Sequence, residues 1–229
     1  MPKYVQESLR RLQHVPHKYP QYSPHEHVPI QYGKKGTQQY TTAPDESPHL
    51  NPAGTKHIQS TMGSFLYYGR AINYTILPAL NDIASAQAQS TQKTKQKTQR
   101  LMDYLNKYPD AYVRYYASDM VLYVDSDAAY LVAPKARSRI AGYYYLSDHP
   151  NVKKRPKFNG AILVECKTLR HVVSSSAEAE VAGIFHNATT AVPIRHILEA
   201  LNHPQPPTPL KTDNSTAMGF IYDNIHPKQ

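Results

Sequence analysis

Tryptophan is absent from the 229 residues and cysteine occurs once, at Cys166. A single thiol excludes an internal disulfide framework and a cysteine-built zinc site, and it suits a reducing compartment. No apolar run approaches the roughly 18 residues of a membrane span. The N-terminus, charged and rich in Tyr, His and Pro, has no signal-peptide core. The expectation is an intracellular protein, not secreted and with no membrane partner. Acid is the scarce charge: 17 Asp and Glu stand against 26 Lys and Arg, a formal net charge of +9. Such an excess favours a polyanionic partner, because Lys and Arg that neutralise phosphates release counterions. A glycine-rich phosphate loop is also missing, which argues against a nucleotide-binding α/β enzyme.

What is present centres on Met120-Val-Leu-Tyr-Val-Asp125-Ser-Asp127, an apolar strand that ends in two carboxylates. Further strands are expected at Ala111–Tyr116, Ile140–Leu146, Ala161–Cys166 and Leu210–Thr212, each a hydrophobic run bounded by turn residues. Ser174–Leu201 reads as a long helix with a serine N-cap, Glu178 in its first turn and Pro193 as a kink or break. Ser215–Tyr222 reads as a helix capped by Asn214 or Ser215. Glu180 and Asp213 are the two further acids that this order can aim at the strand end. Asp127 and Glu178 are second choices, Asp127 as a turn residue and Glu178 as a capping residue.

Upstream, Tyr4, Val5, Leu9 and Leu12 have helical spacing, with Glu7, Arg10 and Arg11 opposite. From His14 to about Lys56 the periodicity vanishes and Pro, His, Tyr, Gln, Gly and Ser dominate, the composition of a linker. Its histidines, His14, His17, His25 and His27, lack Cys or carboxylate partners at fixed spacing and read as solvated loop residues. Lys34 and Lys35, with nearby tyrosines, are weak candidates for nucleic-acid contact. Ile58–Ala86 reads as two packed helices interrupted near Asn73–Thr75 and Pro78, and Thr91–Lys107 as another. Lys93, Lys95, Lys97 and Arg100 form the clearest basic run. Arg137 and Arg139 lie in one basic turn, and a second spans Asp148–Lys157.

Five local words in order, Asp125-Ser-Asp127, Ala141-Gly142-Tyr143, Gly160-Ala161-Ile162, Ser175-Ser-Ala-Glu178-Ala-Glu180 and Asp213-Asn-Ser-Thr-Ala217, resemble the ribonuclease H domain of copia-type retrotransposon polyproteins. Members of that family read Ser-Asp-Ala-Asp, Ser-Gly-Tyr, Gly-Ala-Ile, Ser-Ser-Thr-Glu-Ala-Glu-Tyr and Asp-Asn-Gln-Ser-Ala at these places. Gly63-Ser-Phe-Leu-Tyr67-Tyr68 is similar to the family's Gly-Ser-Leu-Leu-Tyr-Leu, whereas Gly69–Tyr74 departs from its Arg-Pro-Asp-Ile motif. No Tyr-x-Asp-Asp polymerase turn occurs. The resemblance implies an α/β fold, a ribonuclease H-like mixed sheet flanked by helices, preceded by a mainly helical connection region and a disordered linker. It divides the chain into a thumb-like helix (1–13), a flexible linker (14–57), the helical connection region (58–118) and the ribonuclease H-like domain (119–229). The last strand, the last helix and a fourth acid of that domain are expected to be missing, so the chain resembles the C-terminal part of the polyprotein truncated at both ends.

The activity so implied is cleavage of the RNA strand of RNA/DNA hybrids with two divalent ions, Mg2+ or alternatively Mn2+. Carboxylates are the hard oxygen donors that magnesium takes. The resemblance assigns Asp125 as the bridging ligand, Glu180 as ligand to the ion that activates water, and Asp213 as ligand on the leaving side. Contacts to 2′-hydroxyls are expected from Asn214, Ser215 or Ser126, and contacts to phosphates from the basic residues above. The implied partners are a hybrid duplex and the remainder of the reverse transcriptase, in the cytoplasm within a virus-like particle or in the nucleus. The alternative is a transposon remnant that binds nucleic acid without cutting it.

Overall fold

The computed structural model describes residues 1, 3–26, 45–151 and 156–222. Contacts divide the chain into two units, Met1–Val113 and Arg114–Gln229.

The first unit is helical. Helix α1 (Tyr4–Arg11) is followed by α2 (Pro52–Ala71), whose N-cap Asn51 accepts from Gly54 N at 2.8 Å with Pro52 pre-set at the first helical position. A short 3-10 turn (Tyr74–Ile76) leads into α3 (Leu77–Ala86). Pro78 thus begins a helix, where its missing N–H costs nothing, and does not interrupt one. Helix α4 (Gln92–Lys107) starts from a reciprocal Thr91–Thr94 capping box. Ile58, Phe65, Ile76, Leu80, Ile83, Leu101 and Leu105 are buried between these helices, with Val5 and Leu9 of α1.

The first residues of the segment read as a linker are held by the fold. Residues 14–26 are held along α4: His17 N donates to Asp103 Oδ1 (3.0 Å), Gln99 Nε2 to the Val15 carbonyl (3.0 Å) and Arg100 Nε to the Ser23 carbonyl (3.3 Å). The His14 side chain is buried, with Nε2 3.1 Å from Asp103 Oδ1, and so is not a solvated loop residue. On the other side, α2 begins six residues before Ile58. His27, Lys34 and Lys35 lie outside the described residues.

The second unit is α/β. Strands β1 (Val121–Ala133), β2 (Arg137–Ser147) and β3 (Ala161–Thr168) form antiparallel pairs, and the two-residue β4 (Leu210–Lys211) joins β1 in parallel, giving the order β3-β2-β1-β4. The β1–β2 connection is tighter than the expected basic loop. Both strands extend to Pro134-Lys-Ala136, and Lys135 and Ala136 take φ of 62° and 52° as hairpin turns of this length require. Ala111–Tyr116 forms no strand. At its end the Tyr116 backbone is met instead by the Asn159 side chain, which accepts from Tyr116 N (2.8 Å) and donates to the Tyr116 carbonyl (2.9 Å). Helix α5 (Ser176–Ala200) is continuous through Pro193 and capped by Ser175; α6 (Ser215–Tyr222) follows β4.

Period-two alternation sends Leu122, Val124, Ser126 and Ala128 of β1 toward α5, where Leu122, Val124, Tyr144, Ala191 and Leu198 form the core. Asn187 fixes α5 on the sheet. Its Nδ2 donates to Ser126 Oγ and to the Ala141 carbonyl, each at 2.8 Å, while its Oδ1 accepts from Tyr144 OH at 2.9 Å. Gly142 leaves room for that amide: a Cβ there would overlap Asn187 Oδ1 and lie 2.9 Å from Tyr144 Cε2. Among the described residues no helix is long and apolar enough to cross a membrane.

Two outcomes are expected. Gly142→Ala displaces a fully bonded buried amide and lowers unfolding stability by about 1–3 kcal/mol in urea titration. Burial lowers the His14 pKa, and the attraction of Asp103 does not overcome it. A histidine whose folded pKa is depressed stabilises fully above its unfolded value and loses that contribution as pH falls through about 6.5. Acid titration of stability therefore loses part of its slope below that pH in His14→Gln.

Candidate metal centre

Parallel pairing aligns β1 and β4 so that Val124 faces Leu210 and Asp125 faces Lys211. Two residues further along both chains, Asp127 comes level with Asp213, just past the end of β4. Glu180 enters from the first turns of α5. Asp127, Glu180 and Asp213 each offer a carboxylate oxygen, and these oxygens all lie within 4.8 Å of one another.

The position of Glu180 follows from an accounting of backbone donors along the β4 edge of β1. Gln205 serves the first part, with Oε1 accepting from Leu122 N (2.9 Å) and Nε2 donating to the Met120 carbonyl (2.9 Å). Val124 N then donates to the Pro209 carbonyl at 3.0 Å. Where β4 has ended, Ala128 N–H would be left over, and Glu180 Oε1 accepts it at 3.3 Å. Glu180 Oε2 accepts from Thr212 Oγ1, also at 3.3 Å. The carboxylate is therefore tied to both strands at the point where they separate.

Glu180 is buried, at 5% exposure, while Asp127 and Asp213 are exposed. Its pKa is raised, first by burial and then by the neighbouring charges of Asp127 and Asp213, against the Ala128 and Thr212 hydrogen bonds that lower it. Three hard oxygen donors, one of them desolvated and repelled by the other two, form a set that could hold a divalent cation.

The sequence reading put Asp125 with Glu180 and Asp213, whereas the acid whose carboxylate lies within 4.8 Å of both is Asp127. Both acids lie on the same face of β1, but Asp125 sits one pleat back, level with Lys211. Its Oδ1 is buried without a hydrogen-bond partner, and burial raises its pKa while Lys211 pulls it down. Tyr143 stands opposite it on β2. Glu180 and Asp213, the other two expected acids, lie together in the group. Glu178 is a capping residue: its Oε2 accepts from Ser174 N (2.7 Å) and Ser174 Oγ (2.6 Å).

The basic candidates separate. On α4, Lys97 is paired with Asp82 at 2.6 Å and Arg100 bonds to the Ser23 carbonyl, which leaves Lys93 and Lys95 exposed. Arg137 and Arg139 are half-buried at the start of β2, and Arg139 Nε is buried without a partner. Asn214 caps α6 by accepting from Ala217 N at 2.9 Å, and Ser215 is exposed beside it. Ser126 faces α5 and accepts from Asn187 Nδ2. The basic turn at Asp148–Lys157 is described except for 152–155.

Thr212 and Gln205 were missed by sequence reasoning. Thr212 was legible as the polar residue between a strand and Asp213, whereas Gln205 acts through a rigid loop that no local pattern reveals. Arg195 of α5 holds that loop by donating to the Gln205 carbonyl (2.9 Å), the Pro206 carbonyl and Thr208 Oγ1 (2.7 Å).

Comparison with known proteins returns no match: no protein-family model, no curated protein and no solved structure is similar to this chain.

Magnesium at ten times its Kd is expected to stabilise the protein by about 1.4 kcal/mol, a shift of several degrees in melting temperature. Asp125→Asn keeps that shift, while Asp127→Asn and Glu180→Gln abolish it, as thermal melts with and without the ion will show.

Proposed function

We propose that the second unit is a divalent-metal-dependent nuclease of the ribonuclease H type, cutting the RNA strand of RNA/DNA hybrids within a copia-type retrotransposon polyprotein. The observation that carries this reading is the convergence of Asp127, Glu180 and Asp213 from a strand, a helix and a strand end to within 4.8 Å. The mixed sheet, with three antiparallel strands and a parallel fourth reached after a helix, supports it as well.

In this reading Asp127, Glu180 and Asp213 hold magnesium, or manganese as the alternative ion. Bound there, divalent cations would supply hydroxide at neutral pH and shielding of the phosphodiester charge. The chain's own residues set the geometry. Ala128 N–H and Thr212 Oγ1 orient the two oxygens of Glu180. Asp127 and Asp213 stand exposed beside the buried Glu180, where substrate can reach them. Ser215, next to Asp213 and exposed, is the side chain best placed for a 2′-hydroxyl; Asn214 is bound into its helix cap and positions that turn.

The second reading, a protein that binds nucleic acid without cutting it, is favoured by the exposure of two of the three acids, which lowers their hold on metal. Cleavage of a labelled RNA/DNA hybrid in Mg2+ or Mn2+ separates the two. The nuclease reading expects turnover that Asp127→Asn abolishes, by more than about a hundredfold, and that Asp125→Asn keeps within about tenfold. Turnover lost in Asp125→Asn and kept in Asp127→Asn would overturn the assignment of the centre. Folded protein with no turnover and undiminished hybrid affinity would leave the binding reading.

A further inference from the structure

The helical unit carries an open groove of about 630 Å3 between α1 and the first half of α2. One wall is Tyr4, Arg11 and Leu12, and the other is a stripe of α2 at helical spacing, Lys56, His57, Ser60, Gly63 and Ser64. Three of these side chains are cationic or become so on protonation. No carboxylate lines the groove, and among the described residues none of the three forms an ion pair.

The wall is built and not merely charged. Arg11 Nη2 donates to Ser64 Oγ at 3.0 Å, a neutral partner that fixes the guanidinium without cancelling its charge. Ser64 Oγ in turn donates to the Ser60 carbonyl at 3.0 Å. Tyr4 is held by its hydroxyl on the Ser64 carbonyl (2.7 Å) and by stacking on Tyr68 with ring centroids 5.7 Å apart. Gly63 forms the floor, and a Cβ there meets nothing within 4 Å. A fixed guanidinium, a flexible lysine, a histidine and a serine hydroxyl beside a tyrosine ring match the phosphate and the flanking base of a nucleotide.

We propose that this groove binds the phosphodiester backbone of a single nucleic-acid strand, with Arg11 and Lys56 on phosphate oxygens. The proposal concerns the first unit and does not depend on the nuclease reading of the second. Arg11 supplies one fixed charge, and Lys56, two helical turns of α2 from Gly63, supplies the second.

The test uses the full chain carrying Asp127→Asn, so that cutting cannot mask binding, and a fluorescein-labelled single-stranded oligonucleotide titrated at several salt concentrations. Gly63→Glu places a carboxylate among the cations on a helix that glutamate suits, and Gly63→Ala controls for the backbone change. Gly63→Glu and the Arg11→Ala/Lys56→Ala pair are expected to weaken binding about tenfold or more, with melting temperatures kept. The pair is also expected to reduce the slope of log K against log salt by about 1.4, two phosphate contacts on a single strand. Gly63→Ala binds as the parent does. Unchanged affinity and slope in Gly63→Glu and in the pair overturn the proposal. Displacement of the strand by polyglutamate at equal charge concentration overturns it too, since the groove would then be a site for acidic peptide.

Discussion

The parallel pairing of β4 with β1 is two residues long, and the acidic centre depends on it. Val124 against Leu210 sets the register, and everything beyond follows from the period of the strand: Asp127 and Asp213 are brought level and the chains then diverge. So short a strand cannot hold itself. It is delivered by the Gln205–Pro209 connection, whose carbonyls are gripped by the Arg195 guanidinium from α5. Gln205 meanwhile mimics a strand residue by bonding to Met120 and Leu122. The edge of β1 is thus satisfied by a side chain, a two-residue strand and a second side chain in turn. The last of these is Glu180, and satisfying a backbone donor is what brings its carboxylate to the site.

Helix α5 joins both ends of this arrangement. Its first turns carry Glu180, its middle carries Asn187 and its last third carries Arg195. Asn187 couples β1 and β2 to the helix through Ser126, Ala141 and Tyr144, with every polar atom of the amide engaged. In a dry interface such a network holds one position of the helix along the sheet, since a shift would leave several polar groups unpaired. The continuity of the helix through Pro193 matters for the same reason: a break there would uncouple the Arg195 grip from Glu180. Retaining the helix costs on the order of 3 kcal/mol for an interior proline, offset by the apolar packing of Ala191 and Leu198 on Leu122, Val124 and Tyr144.

Much of this was legible in the sequence, and the exceptions have physical causes. The three antiparallel strands, the serine-capped helix and the acids Glu180 and Asp213 follow from periodicity, caps and local words. The choice between Asp125 and Asp127 does not, because residues two apart on a strand share a face and only the register of a distant partner separates them. Ala111–Tyr116 has strand composition, yet the backbone of Tyr116 is satisfied by the side chain of Asn159, 43 residues further on. Residues 14–26 have the composition of a linker, but bonds from α4 to their backbone, together with the burial of His14, hold them in place. Composition counts apolar surface and is blind to polar partners supplied from elsewhere in the chain.

The charges across the β1–β4 junction repeat this distinction on a smaller scale. On the first rung Asp125 stands level with Lys211, so an acid faces a base, and the lysine lowers the pKa that burial raises. On the next rung Asp127 stands level with Asp213, and Glu180 joins them, so acid faces acid. On the first rung the lysine offsets part of the burial of Asp125. The second gathers like charges around a buried carboxyl, and the Glu180 pKa is raised first by that burial and then by the charges of Asp127 and Asp213. Lys211 and Asp213, two residues apart, therefore do opposite things to the two acids of β1. Moving the register by a single pleat would set lysine against Asp127 and leave no group of three carboxylates at all.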